Sequence, residues 1–392
     1  MMQSLKIIML NLRNLGSRKS VASGAVLGFA AVVAVLVAAL SISAGFRAAF
    51  GATGADDVAV VLSGKADTEA TSTLSADDIH AIASLPGVAH TPNGPLAAPE
   101  MVGTLDVNYK QSGKDASIVF RGVTPNARRL RPAVTLVKGR WFKSGLNEIV
   151  VGTAATARFK NLAVGNSITY RGKQWQVVGI FSAGHSVFGS EAWTDVQVLQ
   201  DAHKRPNLYS ADFVKLTSPA AFAAFKQAAT HDPRLDVTVK RARDYYAQQA
   251  RGLSEFIAVA GAIIAGVMGI AAIFGALNTM YTMVSVRGRE IATLRALGFG
   301  RLPVLLSVVV EALVLGLLGG VLGGVIAWLL FNGYQASTFN TSNAGQVAFA
   351  FAVTPAAIGT GIGFALILGL IGGFFPAIRA ARLPVATALR ET

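Results

Sequence analysis

The chain contains no cysteine. That excludes thiol catalysis, cysteine-ligated metal and disulfides, so any exported region must fold on its own apolar core. Charge is scarce as well: 14% of the 392 residues are charged against 52% hydrophobic, and the mean hydropathy is +0.50. This is too apolar for an ordinary soluble enzyme. Catalytic signatures are also missing. No G-x-x-x-x-G-K-[ST] occurs, so the chain cannot cradle ATP in a P-loop, and Gly172-Lys173 has the spacing of a turn instead. There is no H-E-x-x-H and no G-x-S-x-G. His80, His90, His185, His203 and His231 are scattered beside turn signals and read as surface or core residues. No enzymatic activity, metal or cofactor is expected in this chain.

Long apolar runs are what the sequence has instead. Residues 21–45 carry no charge, and about 20 residues suffice to cross the hydrocarbon of a bilayer. The run is too long for the apolar region of a signal peptide, so it reads as a retained span. Four transmembrane helices are expected, at 21–46, 254–286, 303–330 and 356–375. The fold class is therefore a polytopic α-helical membrane protein. Between the first two spans, residues 47–253 change character, with frequent charge and glycine- or proline-punctuated short apolar runs. They read as a large extracytoplasmic α/β domain.

Within that domain, residues 58–62, 148–151, 167–170 and 174–181 read as strands. Ser75 with Asp78 opens a helix that Pro86-Gly87 closes. The pattern suggests an outer lobe at about 47–130 and 205–240, with a strand-rich lobe inserted at about 133–200. A helical stalk at about 241–255, carrying Tyr245 and Tyr246, runs into the second span. Residues 331–355 have no charge and are expected as a short external loop.

The net charge of +14 could suggest nucleic acid, but its distribution argues otherwise. Eleven of the 35 basic residues lie in three segments that flank apolar runs: residues 1–19, 287–301 and 376–392. That is the pattern of cytosolic loops, whereas a nucleic-acid interface gathers its charge in one patch with aromatics. Both termini and the 287–301 connector are thus expected in the cytosol. Residues 1–20 read as a basic amphipathic segment on the membrane surface.

The connector places Arg287, Arg289, Arg295 and Arg301 against one acid, Glu290. Ile291, Leu294 and Leu297 recur at helical spacing, and Gly298 and Gly300 supply a stop. It reads as a short amphipathic helix on which another protein can push. In the third span, Gly316, Gly320 and Gly324, flanked by Gly319 and Gly323, allow close helix approach, within one subunit or between two. Glu311 lies about two turns into that span and is either a proton-coupling group or an interfacial residue that snorkels or pairs with Arg287, Arg289 or Arg301.

Three stretches carry a family resemblance. The first is R-E-I-A-T-L-R-A-L-G at 289–298, followed by Glu311-Ala312. The second is P-A-I-R-A-A-R-L-P-V-A-T-A-L-R-E at 376–391. The third is the external series L-V-K-G-R-W-F, E-I-V-V-G, V-G-N-S-I and W-Q-V-V-G-I-F between residues 136 and 181. Together they resemble the permease subunits of the MacB/FtsX/LolC-type ABC systems, the type VII or mechanotransmission transporters.

The resemblance implies a bacterial inner-membrane protein with a two-lobed periplasmic core domain, working as a dimer of identical or related chains. It implies a partner ABC ATPase, which binds ATP and magnesium, docked at the connector as coupling helix. Arg289, Glu290, Ile291, Leu294, Arg295, Leu297 and Gly298 are the positions so matched. Only twenty residues precede the first span, so the ATPase is expected as a separate polypeptide. The activity implied is ATP-driven export or extraction of a substrate from the outer leaflet or periplasm, with a periplasmic adaptor and outer-membrane channel as further partners. The alternative is an FtsX-like regulator that transmits ATPase motion to an envelope hydrolase.

Overall fold

The computed structural model describes residues 19–340 and 345–384. Most of the amphipathic segment expected over residues 1–20, and Arg390 of the tail, lie outside them.

In chain order the first elements are α1 (Lys19–Gly51), β1 (Val58–Ser63), β2 (Leu74–Ser75), α2 (Ala76–Ala83), β3 (His90–Thr91), β4 (Gly94–Pro95), β5 (Ala97–Asn108), β6 (Asp115–Val123), α3 (Asn126–Leu130) and β7 (Thr135–Gly139). Then follow β8 (Glu148–Gly152), α4 (Thr153–Arg158), β9 (Ser167–Tyr170), β10 (Lys173–Ser182), β11 (Ala192–Asp195), α5 (Val196–Ala202), β12 (Leu208–Tyr209), β13 (Ala211–Lys215), α6 (Phe222–His231) and β14 (Val237–Arg241). The chain closes with α7 (Ala242–Val286), α8 (Gly288–Ala296), α9 (Arg301–Phe331), β15 (Gln335–Asn340), β16 (Gly345–Ala350) and α10 (Pro355–Arg382). Among the described residues two compact units divide these elements, one of 19–45, 254–334 and 351–384, the other of 46–253, 335–340 and 345–350.

The first unit is helical. α1, α7, α9 and α10 are each long and apolar enough to cross a membrane. What lets them pack is the absence of side chains at the contacts. A Cβ on Gly316 would lie 2.7 Å from the Ala365 carbonyl oxygen of α10, and one on Gly320 would lie 3.1 Å from the Ile362 Cα. Gly324 faces Ile358 of the same helix, while Gly319 and Gly323 face Phe29 and Ala30 of α1. The third-span glycines therefore make contacts within one chain, to the last span on one side and the first on the other. Around them Phe29, Val32, Met280, Met283, Val308, Leu315 and Leu368 form a buried cluster.

The last helix does not stop at residue 375, and Pro376 opens no tail. α10 continues through Pro376 to Arg382. An internal proline forfeits a backbone hydrogen bond and costs roughly 3 kcal/mol. Ala377 and Ala380, fully buried in the same cluster, hold the helix against its neighbours past that point.

The second unit is the extracytoplasmic domain. The Ser75–Asp78 capping box is present at the start of α2. One mixed ten-stranded sheet runs in the order β14-β1-β13-β5-β6-β11-β8-β10-β7, with β9 paired to β10. Two cores form on it. Ala59, Val61, Ile82, Val214, Phe225 and Val239 make one; Leu105, Ile118, Phe120, Ile149, Trp175 and Leu199 make the other.

The boundary between lobes differs from the expected one at about 130. β5 and β6 pair over eight positions, from Met101–Gly122 to Asn108–Asp115, and their inward residues belong to the second core. The twelve-residue β5 is the cause: its start pairs with β13 and the rest with β6, so one strand serves both cores. Residues 331–355 differ too. They contain the hairpin β15–β16, whose Ala348 N–H donates to Ser190 Oγ at 2.8 Å and whose Phe349 ring lies edge-on 5.3 Å from Phe46. A segment without charge reads as a loop in isolation, and it is these distant partners that make it a strand pair.

Candidate functional site

α8 is nine residues long and is separated from α7 by Arg287 alone. Its end is set by a glycine. Gly298 adopts φ +94°, its N–H donates to the Arg295 carbonyl and the Phe299 N–H to the Leu294 carbonyl, both at 3.1 Å. This is a Schellman closure, which needs a left-handed residue at that point. The positions expected on the coupling helix fall into three groups. Ile291 is buried among Met280, Met283, Val284 and Val304. Leu294 and Arg295 are half-buried, and Arg295 Nη1 donates to the Leu383 carbonyl at 2.5 Å, which ties the helix to the end of α10. Arg289 and Glu290 face outward, and Leu297 just past the helix is 72% exposed.

Behind α8 lies the one acid of the third span. Arg287 Nη1 donates to Glu311 Oε2 at 2.8 Å, and its Nε to Glu290 Oε2 at 3.2 Å. Arg287 and Glu311 are both buried. A carboxylate taken out of water needs such a partner. Among the connector arginines, Arg287 bonds Glu311. Between the two side chains and Ile291, Ser307 and Glu290 remains a cavity of about 20 Å³, room for one water. The small helix is thus held from behind by apolar packing, an ion pair and a tie to α10, and it leaves a mixed apolar and charged outer face.

The extracytoplasmic unit holds a second polar constellation, which the sequence did not disclose. Arg121, in the second half of β6, is fully buried. Its Nε and Nη2 donate to the two oxygens of Glu191 at 2.8 Å each, and its Nη1 to Glu69 and to Glu100, the latter at 3.0 Å. Arg131 forks onto both oxygens of Glu100. Trp193 Nε1 donates to Glu191 at 2.7 Å.

The first residues of α7 close this network. The Tyr245 hydroxyl accepts the Glu69 N–H at 3.0 Å, and the Tyr246 hydroxyl donates to the Glu69 carboxylate at 3.5 Å. Burial opposes the charge of Arg121, but Glu191 and Glu69 outweigh it and hold the guanidinium firmly ionised. Burial pushes the Glu69 carboxyl upward against the pull of Arg121. Neighbouring Asp212 on β13 makes no hydrogen bond of normal geometry. Burial, with the Glu100 charge, pushes its carboxyl up to about 8, against the Ala98 amide. Arg121 and its acids come from segments up to 122 residues apart, so no local spacing could reveal them. The readable signal was a charge within the apolar strand S-I-V-F-R-G-V.

Comparison with known families decides what these parts belong to. The model of the MacB-like periplasmic core domain matches residues 21–232, more than half of the chain. That of the FtsX-like permease C-terminal matches residues 262–385. The chain belongs to the MacB/FtsX-type ABC transporter permeases. No curated protein matches the sequence. Among solved structures, the extracellular domain of the noncanonic ABC-type transporter YknZ from Gram-positive bacteria aligns at 16% identity, covering 47% of this chain and 100% of that one, with a TM-score of 0.36. The periplasmic region of MacB from Actinobacillus actinomycetemcomitans aligns at 12% identity over 51% and 95%, with a TM-score of 0.37.

A MacB/FtsX-type permease carries no ATPase domain in either matched region, and membership in an ABC family implies an ATPase partner. α8 and the Arg287–Glu311 pair fall inside the permease match. Arg121 and its acids fall inside the core-domain match, whereas Tyr245 and Tyr246 lie between the two matches.

Proposed function

We propose that this permease couples ATP hydrolysis by a partner ABC ATPase, docked on α8, to motion of its extracytoplasmic domain, and that this motion drives export or extraction of a substrate from the outer leaflet or periplasm. The observation that carries the reading is the way α8 is built. A helix meant only to connect two spans needs no clamp. This one is anchored by Ile291, Arg287–Glu311 and Arg295–Leu383, while it presents Arg289, Glu290 and Leu297 to a partner. Force applied to that face passes into α7, an unbroken 45-residue helix, about 67 Å long at 1.5 Å per residue. α7 begins with the tyrosines that bond Glu69. A rigid rod bonded at one end and pushed at the other fits a two-state device.

In this reading the membrane is the bacterial inner membrane, the termini and α8 are cytosolic, and ATP and magnesium sit in the ATPase. The permease acts as a dimer of identical or related chains. Supporting a second copy, α7 leaves Phe256, Val259, Ile263, Val267, Ile270 and Phe274 more than half exposed. The docking claim is tested by co-purification from detergent with the ATPase of the host cell. Wild type is expected to retain it stoichiometrically, and Arg289→Glu with Leu297→Glu to lose it at least tenfold while eluting as a folded permease. Absence of any ABC ATPase from wild-type preparations contradicts the reading.

A further inference from the structure

The extracytoplasmic unit contains a half-open cavity of about 210 Å³ where the chain leaving α1, the start of α7 and residues 130–134 come together. The junction is tight around it: a Cβ on Gly54 would lie 2.4 Å from the backbone of Ala242 and Arg243. Ala52, Pro132 and Ala133 form the exposed rim, and Val58, Phe188, Phe213 and Tyr246 line the buried floor. The one charged side chain in its wall is Arg131, whose guanidinium carbon lies 4.5 Å from the centres of both the Phe188 and Phe213 rings.

Size, polarity and charge narrow what can enter. A dry apolar cavity of about 150 Å³ takes benzene, so about 210 Å³ takes a molecule of roughly eight to ten non-hydrogen atoms. Arg131 gives two of its five N–H groups to Glu100. Its remaining N–H donors have no acceptor among the described residues, which favours an occupant with an acceptor oxygen. An anion is disfavoured, because Arg121 and Arg131 already face Glu69, Glu100 and Glu191 and acid exceeds base. A cation would meet Arg131 itself. We infer that this cavity is a binding site for a compact neutral molecule with an apolar ring or short chain and one carbonyl-type acceptor, seated with that oxygen on Arg131. The occupant bridges the end of α1, the start of α7 and the 130–134 segment.

The test uses the full chain in lipid nanodiscs and three fluorinated probes followed by fluorine NMR, with empty nanodiscs to subtract partitioning into lipid. The probes are 4-fluoroacetophenone, 4-fluoroethylbenzene without the acceptor, and the anion 4-fluorobenzoate. Saturable one-to-one binding of the ketone is expected, with the hydrocarbon and the benzoate each at least about fivefold weaker, the scale of one neutral hydrogen bond. Ala133→Trp, and independently Ala52→Phe, fill the rim from exposed positions and are expected to abolish ketone binding in a chain of unchanged melting temperature. If either variant does not fold, the other decides. No saturable signal above empty nanodiscs, equal binding in the filled variants, or tighter binding of benzoate overturns the assignment.

Discussion

At the scale of single residues, the extracytoplasmic domain is governed by where its buried charges find partners. Arg121 serves three carboxylates at once, so Arg121→Met strands buried acids. A loss of about 3–5 kcal/mol is expected, read as a large drop in thermal stability that Glu191→Gln added to Arg121→Met partly restores. Asp212 makes the opposite case. Its folded-state pKa of about 8 stands above the unfolded value of about 3.9. The folded domain therefore binds the extra proton between those values, and stability falls as pH rises through the window, levelling off above it. Asp212→Asn is expected to flatten that slope, shrinking the difference in melting temperature between pH 5 and pH 8.5 by about 5 °C or more. A remaining slope of the same sign is expected from Glu69, which is also pushed upward. An unchanged slope in the variant would contradict the assignment of a buried carboxyl without a cationic partner.

At the scale of elements, what the sequence showed and what it hid follow the range of the interactions. The spans were legible because a charge-free run of 25 residues has few other fates. β8, β9 and β10 were legible because short apolar runs are bounded by glycine turns. α8 was legible from Ile291, Leu294 and Leu297, although only the structure separates anchoring Ile291 from outward Arg289 and Leu297. β5 and the β15–β16 hairpin were not. β5 carries Pro99, Gly103 and Asp106, which blur its alternation, and its partners β13 and β6 lie on either side in the sheet.

The glycines of α9 give this scale its own test. Gly316→Val drives a side chain into the Ala365 carbonyl and is expected to cost about 1–3 kcal/mol, measured as a lowered melting temperature in detergent. Gly359→Val, at a position with nothing within 4 Å, is expected to change the melting temperature of the single chain by less than about 2 °C.

At the scale of the whole molecule, the proposed coupling requires α7 to carry motion from α8 to the domain that holds Tyr245 and Tyr246. The absence of cysteine makes this directly measurable, because Gly252→Cys creates a unique labelling site at a position in α7 where an added Cβ meets no other side chain or distant backbone within 4 Å. Spin-labelled permease is reconstituted with its ATPase, and the distance between the labels of two copies is measured by pulsed dipolar spectroscopy, without nucleotide and with ATP, magnesium and vanadate. A shift of several ångströms in the distance distribution is expected on trapping, abolished by Leu297→Glu. Identical distributions in every nucleotide state, with the ATPase bound and turning over, would contradict it.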